Sequence, residues 1–420
     1  MCTAVHPVLD HLPDIGAAHD HVAAGALVAA PPGPVGLELE AHVVDLDVPS
    51  VRVGWERLTA VVADLPRLPG RSRVTLEPGG QLELSGPPLP GVAAAVAALR
   101  TDVAVVRQAL AGRRLGLAPI GADPLRPPGR VSPGARYRAM ETHFGAVGCA
   151  PAGAAMMTST ASLQLNLEAG HPSSWTDRVG LAHRLGPVLV AVSACSPLLS
   201  GRVTGWRSSR QQVWGDLDQA RCGPLLGRDD PASEWAAYAL AAPVMMVATD
   251  DGMEPVRGRT SFAAWVAGRA RLGDRRPTVA DLDRHLTTLF PPVRLRGFLE
   301  IRYLDAAPEP WWPALAAVLG TLLDDPVAAD VAAAAAEPVA GAWDRAARDG
   351  LTDPALAAAA RTCLSAALDR APSALRPEVT ALAELVDRGG CPGDALAATA
   401  RTHGASAALL TATSAPEALP

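Results

Sequence analysis

Apolar and polar side chains alternate with a period of two in four stretches of the chain, each read as a strand with one face for a core and one for chemistry. Val35 to Val44 sets Glu38, Glu40 and His42 against Leu37, Leu39 and Val43. In Thr75 to Gly86, TLEPGGQLELSG, a Pro78-Gly79-Gly80 turn follows Glu77 and leads into a strand with Gln81 and Glu83 opposite Leu82 and Leu84. Ser162 to Glu168 puts Gln164, Asn166 and Glu168 opposite Leu163, Leu165 and Leu167, and FLEIRYL puts Glu300 and Arg302 opposite Leu299, Ile301 and Tyr303.

Helical spacing of apolar residues predicts helices before residue 32, from Trp55 to about Leu65, over Pro90 to Leu115, and from Trp175 to Ala194. The stretch GADPLRPPGRVSPGARYRAM is punctuated as loop and ends in Arg136, Tyr137 and Arg138 at the start of another helix. A helix and an APVMMVA strand occupy 232 to 248, a further helix begins at Thr260 to Trp265, and Thr278 caps the next. Beyond Pro313 the chain is alanine-rich, with helices starting at Thr352-Asp353-Pro354 and stopping at Pro372 and Gly389. This divides the chain into a mixed unit over 1–320 and a helical subdomain over 321–420.

A polar strand face can simply point into water. Its recurrence in four strands suggests one sheet whose apolar side is covered by helices and whose polar side is a floor dense in hard oxygen ligands. Such donors suit magnesium or manganese better than zinc, since His42 is the one histidine and no cysteine stands on these faces. Magnesium held by carboxylates usually serves a phosphate substrate, which Arg302 among the acids would meet. GRVTGWRSSRQQVWGDLD adds Arg202, Arg207 and Arg210 beside Trp206 and Trp214, of which Arg207 and Arg210 could take a substrate carboxylate. The chemistry favoured is phosphoryl transfer from a nucleotide.

Composition narrows the classes. None of the 37 basic side chains is lysine, which excludes a Walker A lysine, a protein-kinase strand lysine and a pyridoxal Schiff base. A net charge of −6 and 4% aromatic residues offer nucleic acid neither attraction nor stacking. The six cysteines form no CxxC pair, so neither a zinc ribbon nor a disulfide framework is expected, and a reducing cytoplasm suits them. The N-terminus lacks the pattern of a signal peptide, no apolar run reaches membrane-span length, and no membrane partner is expected. His11, His19 and His21 read as surface histidines of the first helix.

The motifs GLELE, LEPGGQLELSG, RYRAM, MMTSTASLQLNLE, GWRSSRQQVWGDLD and HLTTLFPPVRLRGFLEIRYLD occur in the order seen in plant-type and bacterial type-2 glutamate-cysteine ligases. The chain resembles that family over residues 33 to 312, most closely the actinobacterial branch that feeds ergothioneine synthesis. The resemblance implies an α+β, glutamine synthetase-like fold: an antiparallel sheet with a polar concave face, covered by helices. It further implies ATP- and magnesium-dependent joining of L-glutamate to L-cysteine through a γ-glutamyl phosphate, giving γ-glutamylcysteine. Carried over by motif, Glu38, Glu40 and Glu83 are metal ligands, joined by Gln81, Gln164 or Glu300, and Glu83 and Arg302 are catalytic. Arg302, Gln164 and Asn166 would hold the nucleotide, and Arg210, with Arg207 and Thr160, the substrate. The same fold could use another amine acceptor or act as a nucleotide or glutamate sensor. Cys195 departs from the pattern, standing where many relatives have asparagine before Ser-Pro.

Overall fold

The structure is a computed structural model in which residues 11–225, 229–250 and 252–414 are described. The expectations for the extreme N-terminus, for Cys2 and for the last six residues lie outside these. The first half of the chain runs α1 (Ile15–Ala26), β1 (Pro34–Asp45), α2 (Trp55–Ala63), β2 (Arg73–Leu76), β3 (Leu82–Ser85), β4 (Leu89–Pro90), α3 (Val92–Ala111), β5 (Leu115–Ala118), α4 (Ala135–Ala146), α5 (Ala150–Ser159), β6 (Ser162–Leu167) and α6 (Trp175–Ser193). A hairpin β7–β8 (Leu198–Leu199, Arg202–Val203) leads to helices α7 (Ser209–Gly215), α8 (Gln219–Cys222) and α9 (Pro231–Ala241), then to a second hairpin β9–β10 (Met246–Thr249, Gly252–Pro255). After α10 (Phe262–Val266) and α11 (Val279–Leu286) come β11 (Val293–Leu295) and β12 (Leu299–Asp305). The rest is helical: α12 (Trp311–Asp324), α13 (Pro326–Ala336), α14 (Trp343–Arg348), α15 (Pro354–Arg370), α16 (Arg376–Asp387) and α17 (Gly393–Thr411).

The four alternating stretches lie side by side. The main sheet follows the order β11-β12-β6-β1-β3-β2, with β4 and β5 also paired to the long β1, and its pairings are antiparallel. Its register sets Glu40 opposite Glu83, Glu38 opposite Gln164, and Glu300 opposite Asn166. A shift of one residue would send every polar side chain to the core face, so the leucines opposite them fix the register as well as filling the core. Leu37, Leu39, Leu82, Leu84, Leu163, Leu165, Leu167, Leu299 and Ile301 are all fully buried, under α3, α6 and α12. A register irregularity between Ile301 and Leu304 interrupts the β6–β12 ladder at Arg302, a device that re-aims side chains beside active sites.

Several expectations change here. The helix expected over Pro90 to Leu115 stops at Ala111, and Leu115–Ala118 is a strand. All four of its residues are buried, so no alternation marks it. Histidine 42 keeps the parity of Glu38 and Glu40 but lies beyond the acidic floor, 1% exposed, and burial depresses its pKa to about 3. The C-terminal helices share one apolar core with the sheet: α13, α14 and α15 pack on α6, and α14 also on α7. Gly186 in α6 lets Trp343 of α14 come close enough that a Cβ there would sit 2.5 Å from Cζ2 of the indole. Among the described residues no helix is long and apolar enough to cross a membrane, and Cys149, Cys195, Cys222, Cys363 and Cys391 are free thiols.

Candidate active site

The polar face of the sheet is the floor of a cavity of about 470 Å³, roofed by α4, α5, α7 and the segment 287–296. Glu38, Glu40, Glu77, Gln81, Glu83, Gln164, Glu300 and Arg302 all line it. Local chemistry sets each one. The Glu77-Pro-Gly-Gly-Gln81 turn is closed by Glu77 N–H to Gln81 O (2.8 Å) and Gly80 N–H to Glu77 O (2.9 Å). Gly80 has φ +86°, a conformation open to glycine at little cost. Gln81 gives its amide N–H to Thr160 O at 2.9 Å, leaving Oε1 buried without a partner. Glu83 accepts from Thr75 Oγ1 at 2.5 Å. Glu40 accepts from Ser162 N–H (2.7 Å) and Gln164 Nε2 (3.0 Å), and Glu38 from Asn166 Nδ2 (2.9 Å).

The charges are arranged in two zones. In the acidic zone, burial first and then Glu300 and Glu83 push Glu38 up to about 7. Burial with Glu40 and Glu83 pushes Glu77 up to about 8. Glu40 is also raised by burial, against the pull of Arg210 and Arg302. In the second zone, burial works on Glu300 in the same upward sense, but Arg302 and Arg294 overcome it and hold the carboxyl at about 2. Arg294 grips Glu300 through both Nε and Nη2, the latter at 2.7 Å, while Arg302 Nη1 donates to Glu300 Oε1 (3.0 Å) and to Gln164 Oε1 (2.6 Å).

Arg210 lines the same cavity from α7 and is 3% exposed. It donates to Arg302 O at 2.7 Å, yet its Nη1 has no hydrogen-bond partner and lies 3.8 Å from Asp305. Asp305 is itself engaged by Cys195 N–H, Ser196 Oγ and Ser208 Oγ, so it is the anchor of the arginine loop. Thr160 lines the cavity with its hydroxyl turned back to Met156 O at 2.7 Å. Asn166 stands behind Glu38, its Oδ1 buried and unpartnered.

Arg207 does not join them. Ser208 caps α7 between the two arginines, and Arg207 leaves the opposite way, to Asp394 at 2.7 Å, against Gly350. The substrate-binding expectation for Arg207 is therefore corrected to a tie between the loop and α17. Cys195 does not line this cavity. It is buried against the segment that starts α17, where a Cβ on Gly393 would lie 3.1 Å from its Cα, so its position concerns packing. Sequence reasoning missed Arg294 and Arg296, which line the cavity beside Glu300. Their signal was the Arg-Leu-Arg spacing just before the Glu-Ile-Arg strand: the hairpin sets Arg294 directly opposite Glu300.

Among the described residues no three His, Cys, Asp or Glu side chains already converge on one point. The donor set nevertheless fits a hard divalent cation. Buried like charges favour any cation that comes between them, and Gln81 Oε1 is an unused acceptor on the same floor. A divalent ion on Glu300 would have to displace part of the Arg294 grip.

The sheet thus carries helices on its apolar face and an acidic, arginine-flanked cavity on the other, an arrangement of the glutamine synthetase-like fold. The chain belongs to the Glutamate-cysteine ligase family 2 (GCS2), whose pattern matches residues 34–412. It is 59% identical to "Glutamate--cysteine ligase EgtA" of Mycolicibacterium smegmatis over 376 residues, 89% of each chain. It is 54% identical to the EgtA ligase of Mycobacterium tuberculosis over 94% of each chain. The chloroplastic glutamate–cysteine ligase of Arabidopsis thaliana is 30% identical over 65% of this chain and 53% of its own. In fold it is similar to a Francisella tularensis glutamate–cysteine ligase solved with AMP, at a TM-score of 0.59 and 13% identity, covering 92% of this chain and 88% of that one.

Proposed function

We propose that this chain joins the side-chain carboxylate of L-glutamate to the amine of L-cysteine at the expense of ATP, giving γ-glutamylcysteine for ergothioneine synthesis in the cytoplasm. The observation that carries this reading is the cavity in which Glu38, Glu40, Glu77, Glu83 and Glu300 meet Arg302, Arg294 and Arg210. Acid-rich floors hold cations, cations hold polyphosphate, and buried arginines hold the anionic ends of substrates.

Glu38, Glu40, Gln81, Glu83 and Glu300, with Glu77 beside them, would hold magnesium or manganese. Bound there, such ions neutralise phosphate oxygens. Arg302, oriented by Glu300 and Gln164, donates to the transferring phosphoryl group, whose charge grows most costly where water is excluded. The glutamate γ-carboxylate attacks the terminal phosphorus of ATP, releasing ADP and leaving an acyl phosphate. The cysteine amine then attacks the acyl carbon, phosphate leaves, and the amine proton is lost as the amide forms. No side chain of the protein is acylated, so the free cysteines need take no part.

The test is incubation with ATP, magnesium, glutamate and each amino acid in turn, following phosphate release and product mass. Cysteine should give the fastest release and a product of γ-glutamylcysteine mass. Phosphate release without preference for cysteine would defeat the assignment.

A further inference from the structure

A second, smaller cavity of about 90 Å³ adjoins the acidic one, and Arg210, Trp214, Phe290 and Arg302 border both. Its far wall comes from α14, through Trp343, Asp344 and Ala347, a helix beyond the part of the chain that supplies the acidic floor. Three N–H groups around it are buried without an acceptor: Arg210 Nη1, Trp214 Nε1 and Trp343 Nε1. Buried donors are paired in nearly all folded proteins, and orphans gathered at one cavity mark an absent acceptor. Arg210 sits 5.9 Å from the Trp214 ring, and the Trp343 ring meets Tyr303 edge-on at 5.9 Å, so all three donors are held by packing. Among the described residues Asp344 is the one carboxylate on the wall, at an exposed position.

We infer that this side cavity receives the α-amino-acid head group of the glutamate substrate, and that Trp343 and Asp344 of the C-terminal helices are substrate-positioning residues, the indole N–H taking the α-carboxylate and Asp344 the α-ammonium. The inference rests on the ligase reading above. Glutamate carries a carboxylate at each end. With its γ-carboxylate at the phosphoryl-transfer centre beside Arg302, its other end extends past Arg210, where the unpartnered donors stand. The volume holds several water molecules, and so a head group, but not a nucleoside. The helix is fastened to the arginine loop, since Ser208 N–H donates to Ala347 O (2.9 Å) and Arg207 N–H to Arg348 O (3.3 Å). Substrate on α14 would thus be registered directly at α7.

Steady-state kinetics on the full chain test this, with glutamate, cysteine and ATP varied separately. Glutamate-dependent turnover of the unaltered protein is measured first, and its absence defeats the ligase reading itself. Given turnover, Trp343→Phe, which keeps the ring and deletes the N–H, should raise the glutamate KM about tenfold, the scale of one hydrogen bond to a charged group. The KM values for cysteine and ATP and the kcat should stay within about twofold, as for loss of a contact made equally in ground and transition states. Asp344→Asn, a nearly isosteric change at an exposed site, should raise the glutamate KM similarly. It should also narrow the preference for glutamate over glutarate, which lacks the α-ammonium. An unchanged glutamate KM in both variants, or a rise confined to cysteine, overturns the inference. So does an unchanged glutarate ratio in Asp344→Asn, which is the deciding measurement if Trp343→Phe fails to fold.

Discussion

Glu83 is the residue on which the acidic floor turns, because it presses on both Glu38 and Glu77 while Thr75 fixes its carboxylate. Glu83→Gln keeps shape and the Thr75 contact but removes the charge, so turnover should fall by roughly a hundredfold or more while circular dichroism stays native. Near-normal turnover would remove Glu83 from the metal assignment. Its neighbours give a pH prediction with a definite sign. Glu38 and Glu77 carry folded pKa values of about 7 and about 8, against 4.5 for a free glutamate. Between these limits the two carboxyls hold protons in the folded chain that they have lost in the unfolded one, so their contribution to stability is fully present below about pH 4.5 and is lost as pH rises toward 8. The buried neutral His42, His143, His183 and His285, depressed to about 3 to 4 from 6.5, act in the opposite sense below about pH 7. Thermal unfolding in chelator should therefore show a midpoint that falls from about pH 7 to 8, where the imidazoles are largely neutral in both states and the two carboxyls set the slope. Magnesium should flatten the slope, since the ion takes the place of the protons, and its own affinity should climb over the same range. A midpoint that rises from about pH 7 to 8 in chelator would contradict the repulsion described here.

At the scale of elements, the turn before β3 holds the site's shape. A Cβ on Gly79 would run into the backbone of Thr158, with its Cα at 2.5 Å, and Arg52 binds Gly79 O at 3.3 Å. Gly79→Ala must push β3 or α5 away, so it should cost on the order of 2 kcal/mol in chemical denaturation and lower activity further by displacing Gln81 and Glu83. A stable, active Gly79→Ala protein would show that the turn can slide. The strands around it were legible in the sequence wherever one face is core and the other is site. Glu38 and Glu40, Gln81 and Glu83, Gln164 and Asn166, and Glu300 and Arg302 each interleave with buried apolar residues, and the period of two survives. Legibility failed where that contrast vanishes. Leu115–Ala118 is buried throughout and reads as the tail of α3, and Val293–Leu295 is too short to display an alternation, which hid Arg294 and Arg296. Arg207 and Arg210 look equivalent in a linear list of basic residues. Only the cap at Ser208, whose side chain accepts from Gln211 N–H, turns one toward α17 and the other into the cavity.

For the whole molecule, the C-terminal helices and the catalytic sheet meet through α6, and the tightest point of that meeting is Gly186 against the Trp343 indole. Alanine in place of glycine inside a helix ordinarily stabilises by about 1 kcal/mol. Here the added methyl collides with a ring wedged against Tyr303, so Gly186→Ala should instead destabilise, by roughly 1–3 kcal/mol as for overpacking elsewhere. The displaced helix is α14, whose Ala347 and Arg348 carbonyls hold the start of α7, so the disturbance should travel to Arg210 and appear as a raised glutamate KM. Combining Gly186→Ala with Trp343→Leu separates packing from chemistry. The smaller side chain makes room for the methyl, so the double variant should recover stability relative to the sum of the single changes, a coupling measurable as a double-mutant cycle. Its glutamate KM should nevertheless stay high, because the indole N–H is gone. If both stability and KM recover together, α14 influences the site only by its position. If stability recovers and KM does not, the helix contributes a contact as well as a frame.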